Sequence, residues 1–256
     1  MGWFLAYYYD DLPEDAGFRL FGAGHLAFLL AITIGTGIVC VAYRRVEPRS
    51  QSAIRRVLAA ICLALELGKD LLLIATLPSY PIEQLPLHMC GMGVFILVAD
   101  AFAPGRRKTL REIMYSLSLP GAVAALLFPD WTPYPILNVY SLQGFLGHGV
   151  LICYVLTLLV SHQLIPDWRG LWRVALFGFV VSYPVYVLNR RLGTNFLFIN
   201  GGSPGSPLAW LESRMGNPGY LIGYAALILL VWLAMYAPFI INAYRAKRRS
   251  AIKPKV

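Results

Sequence analysis

An all-α, polytopic membrane helix bundle is the fold class this sequence predicts, and three observations predict it. The 256 residues are 58% hydrophobic and 14% charged, far below the roughly 25% charged residues of soluble domains. Seven segments are apolar and long enough to approach the roughly 20 residues a helix needs to cross a bilayer. Basic residues gather in alternate connections between those segments, as the positive-inside rule describes. No linker or internal repeat divides the chain, so residues 1–256 read as one integral membrane domain of about seven transmembrane helices.

The stretch Met1–Asp15 carries Asp10, Asp11, Glu14 and Asp15 but no basic start, so it does not read as a secretory signal. Met1-Gly2 lacks a Ser or Thr at position 6, which argues against myristoylation. The predicted spans are Gly24–Tyr43, Ile54–Leu77, Leu85–Ala103, Glu112–Phe128, Val139–Ser161, Leu171–Leu188 and Gly219–Tyr244. The third and fourth are interrupted by Pro86, Gly91, Gly93 and Pro120. Most connections are short. Asn189–Pro218 is the exception, and its Gly201–Pro207 run cannot continue a helix. Its Phe196, Phe198 and Trp210 point to an ordered cap, with a short interfacial helix over Pro207–Leu211.

Charge sets the predicted orientation. Arg44, Arg45, Arg49, Arg55 and Arg56 follow the first span; Arg106, Arg107, Lys108 and Arg111 follow the third. Arg169 and Arg173 follow the fifth, and the tail ends in a basic run that includes Arg245, Lys247 and Lys253. The alternate side holds only Arg19, Arg190, Arg191 and Arg214. The N-terminus is therefore expected outside and the tail in the cytoplasm. The net charge of +9 comes from these collars, which suit anionic lipid head groups and not nucleic acid. Cys40, Cys62, Cys90 and Cys153 fall inside spans at different depths and do not form a disulfide framework.

Ionisable groups at membrane depth are costly, roughly 2.5–3.5 kcal/mol each on insertion scales, and tend to mark function. Glu66, Lys69 and Asp70 share one face of the second span by their spacing. They form either an internal ion pair or part of a site, with His88, His148, Arg190 or Arg191 available to balance the surplus negative charge. His25, His88, Cys90, His148, Gln143 and Asn195 are expected in the same outer half. On a regular helix His88 and Cys90 would point about 200° apart. Glycines around His148, in Gly144-Phe145-Leu146-Gly147-His148-Gly149, leave room for another helix. Asp100 is expected to offset Arg106 or Arg107. Tyr134, Tyr140, Trp168 and Trp172 read as interfacial anchors. No P-loop, zinc-protease helix or nucleophile elbow is present, so no cofactor or metal is implied.

Several of these segments, taken together, resemble the YwaF-like bacterial membrane proteins related to eukaryotic transmembrane protein 164. They are Phe21-Gly22-Ala23-Gly24-His25, Leu85-Pro86-Leu87-His88-Met89-Cys90, Gly147-His148-Gly149 and Gly193-Thr194-Asn195-Phe196-Leu197-Phe198. The resemblance implies a phospholipid acyltransferase with a cysteine nucleophile and an essential histidine, in a fold shared with membrane threonine–histidine lipid hydrolases. In the eukaryotic relative the cysteine adjoins its histidine; here Met89 separates His88 from Cys90.

The leading expectation is an intramembrane acyltransferase or lipid-ester hydrolase acting on phospholipid. Cys90 would attack, His148 or His88 would serve as base, and Glu66 or Asp70 would orient the histidine. Lys69 or a backbone N–H would stabilise the oxyanion. The alternatives are a transporter or channel for a small polar solute, a metal-dependent lipid hydrolase with His25, His88, His148 and a carboxylate as ligands, and a non-catalytic lipid-binding protein.

Overall fold

The computed structural model describes residues 2–7, 12, 13, 15–103 and 107–252. Asp10, Asp11, Glu14, Arg106, Lys253 and Lys255 lie outside the described residues. Among those described there is no strand. A short α1 (Gly2–Leu5) leads to α2 (Ala23–Arg45), α3 (Pro48–Thr76) and α4 (Met89–Phe102). A continuous track follows: α5 (Lys108–Ile113), a π turn (Met114–Ser118) and α6 (Leu119–Leu127). The chain ends with α7 (Val139–Val160), α8 (Leu171–Leu192), α9 (Pro207–Met215) and α10 (Tyr220–Ile252).

All seven predicted spans contain a helix, and the chain is a multi-pass membrane bundle. Five tracks are long and apolar enough to cross a membrane: α2, α5–α6, α7, α8 and α10. Helix α3 has 29 residues, about 43 Å at 1.5 Å per residue, but carries Arg49, Arg55, Arg56, Glu66, Lys69 and Asp70. Helix α4 has 14 residues, about 21 Å, short of a bilayer core of roughly 30 Å. It starts four residues later than expected because Leu85–His88 form an irregular turn.

Helix α7 is the hub and packs on α2, α3, α4 and α6. Ala59, Cys62, Leu97, Leu151, Tyr154, Val155 and Leu158 close the centre with almost no exposure. Helices α8 and α10 lie at the periphery and present Phe179, Tyr183, Ile222, Leu229 and Leu233 outward. Such an apolar surface suits lipid contact.

The π turn has a local cause. Pro120 has no N–H for the carbonyl of Ser116, four residues back. That carbonyl accepts instead from Trp232 Nε1 of α10 at 2.8 Å. Tyr115 Oη donates to the Met235 carbonyl at 2.7 Å, three residues before Pro238 in the same helix.

A buried polar network closes the Arg55 end of the bundle. Asp100 is fully buried; its carboxylate accepts from Arg111 Nε and from Tyr154 Oη, both at 2.8 Å. Arg107 donates to the Asp100 backbone carbonyl, so the side-chain partner is Arg111, one helical turn beyond the basic pair expected. Arg55 is buried as well, donating to Tyr43 Oη at 2.6 Å and Gln163 Oε1 at 2.7 Å. Tyr134 and Tyr140 are not interfacial anchors: both are buried, packed with Tyr7 and Leu73. Trp168 and Trp172 are exposed, as anchors would be.

Candidate functional site

The charged stripe of α3 largely satisfies itself. Lys69 Nζ donates to Glu66 Oε1 at 2.9 Å and to the Gln84 carbonyl at 3.1 Å, and lies 3.5 Å from Asp70 Oδ1. Glu66 also accepts from Gln143 Nε2 of α7 at 3.3 Å, and Asp70 from Tyr80 Oη at 2.9 Å. The network ties α3 to α7 and to the turn before α4. Neither histidine, Arg190 nor Arg191 pairs with these carboxylates; neutral donors balance them instead. Lys69 has its donors committed, so it is not a free oxyanion ligand. Glu66 and Asp70 do not orient a histidine.

His88 is not on a regular helix. It is the N-cap of α4, with extended backbone (φ −72°, ψ 154°), because Pro86 turns the chain immediately before it. Gly91 permits that turn: a Cβ there would sit 2.8 Å from Pro86 Cα. Cys90 then falls in the first turn of α4, where no side chain caps the backbone N–H groups. It packs toward α6 at Gly121 and makes no hydrogen bond to either histidine. Asp130, Cys62 and Glu66 lie within its electrostatic reach. Lys69 and His148 lie within that of His88.

His148 is held in one tautomer. Its Nδ1 lies 2.6 Å from the Gly144 carbonyl, and a carbonyl only accepts, so Nδ1 carries the proton and Nε2 is an open acceptor. The ring stacks on Trp131 with centroids 5.3 Å apart at 21°. Gly144 makes this possible, since a Cβ there would lie 2.9 Å from the indole. Asp130 precedes Trp131 in the α6–α7 loop. Asp130 is exposed by surface area, yet the protein atoms crowded around it strip enough hydration to raise its carboxyl above the ordinary range, and nearby His148 pulls the other way.

A cavity of about 380 Å³ opens among Glu83, Gln84, His88, Asp130, Trp131 and Asn195, with the Tyr7, Tyr134, Phe196 and Phe198 rings around it. One wall is backbone-strained. Leu197 and Phe198 have φ of 60° and 52°, a left-handed conformation that costs non-glycine residues roughly 1–2 kcal/mol each. Asn189 holds this segment: it donates to the Phe196 carbonyl and accepts from Phe196 N and Thr194 Oγ1, all at 2.9 Å. Leu197 N reaches His88 Nδ1 at 3.4 Å. Asn195 donates to the Gly201 carbonyl at 2.9 Å. Beyond it, Ser206 is the N-cap of α9, its Oγ accepting from Leu208 N and Ala209 N, and the helix exposes Trp210.

The structure therefore gathers His88, His148, Lys69, Glu66, Asp70, Gln143 and Asn195 at one end of the bundle. Of the predicted site residues only His88 and Asn195 line the cavity; Cys90 and His148 do not. His25 stands apart: Nδ1 accepts from Phe21 N at 2.9 Å and Nε2 donates to the Leu126 carbonyl at 2.8 Å. With both nitrogens engaged, it pins the start of α2 to the end of α6. The ligand set of His25, His88 and His148 is not assembled; among the described residues no three His, Cys, Asp or Glu side chains are grouped to hold a metal. Sequence reasoning missed Asp130 and Trp131. An acid beside a tryptophan in the Phe128–Asn138 loop was the available signal, yet loop residues show no periodicity.

A polytopic helical membrane protein with a polar chamber walled by one strained segment is the class these features define. The chain belongs to the TMEM164 family, which it matches over residues 20–236. An uncharacterized protein of Treponema pallidum (strain Nichols) is 28% identical over 235 residues, covering 90% of this chain and 93% of that protein. No solved structure matches.

Proposed function

We propose that this chain is an acyltransferase or hydrolase of lipid esters, with Cys90 as nucleophile and His148 as base. The observation that carries this reading is the position of Cys90 in the first, uncapped turn of α4, two residues after His88, which lines the chamber. The sulfur attacks only once a base has taken its proton, and it stands at a helix N-terminus. The unpaired N–H groups of that terminus provide donors for a tetrahedral oxyanion, the role Lys69 cannot fill. In this scheme His148 Nε2 takes the Cys90 proton and the sulfur attacks the ester carbonyl. The carbon–oxygen bond breaks, and the leaving alkoxide takes the proton back from Nε2. The acyl thioester is then resolved by water or by a lysophospholipid hydroxyl. Catalysis requires substrate binding to close the gap between Cys90 and His148, which tightens only in many enzymes' reactive complexes. In the bacterial inner membrane, with the orientation the basic collars indicate, the chamber would serve the outer leaflet.

A solute path is the poorer reading. The α3 network and the Arg55 network are separated by the apolar layer of Ala59, Cys62, Leu97, Leu151 and Val155. Incubating purified protein with phospholipid and measuring intact mass tests the proposal. An acyl-sized increment mapping to Cys90, absent from Cys90→Ala, is expected. Its absence, with fatty-acid release undiminished in Cys90→Ala, would exclude Cys90 as nucleophile.

A further inference from the structure

The cavity has a composition that the acyl-transfer scheme does not use. Among the described residues its walls carry two exposed carboxylates, Asp130 and Glu83, the latter accepting from Tyr7 Oη at 3.1 Å, and no lysine or arginine. At this end of the bundle Lys69 is already taken, spanning Glu66, Asp70 and the Gln84 carbonyl, while Glu83 and Asp130 make no ion pair among the described residues. No other lysine or arginine among the described residues lies within ion-pair distance of these four carboxylates. Fixed negative charge in a walled recess concentrates cations. Beside the polar Gln84, His88 and Asn195, the wall carries the rings of Trp131, Tyr134 and Phe198. Aromatic faces attract cations through the ring quadrupole, and cages of such rings are the usual receptor for alkylammonium groups. Trp131 adds a buried Nε1–H with no acceptor among the described residues, a vacant donor for an oxygen carried by the same ligand.

We propose that this cavity binds an alkylammonium group, caged by the Trp131, Tyr134 and Phe198 rings and neutralised by Asp130 with Glu83. A cavity of about 380 Å³ is at the small end of ligand pockets, adequate for a head group but not for acyl chains. That the group is the head of the lipid undergoing reaction rests on the acyl-transfer reading; the binding itself does not.

The test measures binding with no turnover, so its failure is separate from any failure of Cys90 chemistry. Protein in detergent is titrated calorimetrically with choline and with the neutral isostere 3,3-dimethylbutan-1-ol. Native mass spectrometry in detergent containing either a zwitterionic ammonium phospholipid or phosphatidylglycerol reads which lipid is retained. Saturable choline binding without isostere binding is expected, weakened about tenfold in Asp130→Asn and in Trp131→Leu. Retention of the ammonium lipid over phosphatidylglycerol would assign the group to a lipid head; choline binding without such retention would assign it to a soluble amine. Glu83→Gln is the second variant, should Asp130→Asn not fold. Equal binding of choline and isostere overturns the proposal, as does choline binding that neither carboxylate variant changes. Equal retention of both lipids with no choline binding overturns it too.

Discussion

The His148 imidazole and the Trp131 indole lie face to face, 5.3 Å between centroids and 21° from parallel, with Gly144 beneath both. The indole occupies the volume a Gly144 side chain would take. Gly144→Ala must therefore displace Trp131 and, with it, the plane on which His148 rests. Overpacking of this kind costs about 1–3 kcal/mol. Thermal unfolding in detergent should report that loss, and acyl-adduct formation on Cys90 should fall. Gly147→Ala is the control: its Cβ would meet only Gln143 Nε2 at an ordinary 3.7 Å, so both readouts should hold.

Removing the cation from the α3 stripe should be severe. Lys69 and Glu66 side chains are each only 9% exposed, so Lys69→Met leaves Glu66 and Asp70 without their shared countercharge. Breaking a buried pair from one side typically costs about 3–5 kcal/mol. The double variant Glu66→Gln with Lys69→Met should recover part of that loss, because the uncompensated charge is then reduced. Chemical denaturation of the three proteins checks the order: wild type, then double, then single. A Lys69→Met protein as stable as wild type would mean the trio is not a structural tie.

What the sequence made legible follows from periodicity. Long apolar runs give the helices, and the three-and-four spacing of Glu66, Lys69 and Asp70 places them together. The partners that decide their role were not legible. Gln84 contributes a backbone carbonyl, which has no residue signature, and Gln143 arrives from another helix. The glycines around His148 were readable as room for a neighbour, and Gly149 does face Ile32 of α2. Gly144 admits a loop tryptophan instead, something no helical pattern could announce. His88 and Cys90 looked incompatible only on a regular helix; the Pro86 turn takes His88 out of it. Arg55 looked like part of a solvated collar because its apolar neighbours in the fold, not in the chain, bury it.

The π turn offers a test by paired substitution. Trp232→Phe removes the donor to the Ser116 carbonyl, leaving a buried acceptor unmet at about 1–3 kcal/mol. Pro120→Ala restores a backbone N–H that can take that carbonyl. The combination Trp232→Phe with Pro120→Ala should therefore be more stable than Trp232→Phe alone. Strictly additive losses, measured by a double-mutant cycle on unfolding, would show that the indole and the proline act independently.

Asp130 gives a pH dependence whose sign can be worked out. Although the residue is exposed, its folded carboxyl titrates above the ordinary 3.8, lost hydration among crowded neighbours being the largest cause and His148 opposing it. The folded state thus holds this proton more tightly than the unfolded chain does. By linkage, the group's stabilising contribution is complete below pH 3.8 and is lost as pH rises through the raised folded value. Above that value the acid, with no countercharge at ion-pair distance among the described residues, is a liability that Asp130→Asn removes, a modest one because the residue is exposed. The variant should melt higher than wild type at neutral pH, and the gap should narrow as the medium is acidified toward the ordinary aspartate value. Melting curves across that window check it, and a gap that widens on acidification would contradict the assignment. A bound alkylammonium ion should reverse the neutral-pH order, because it gives the carboxylate, but not the amide, the countercharge that the folded chain withholds.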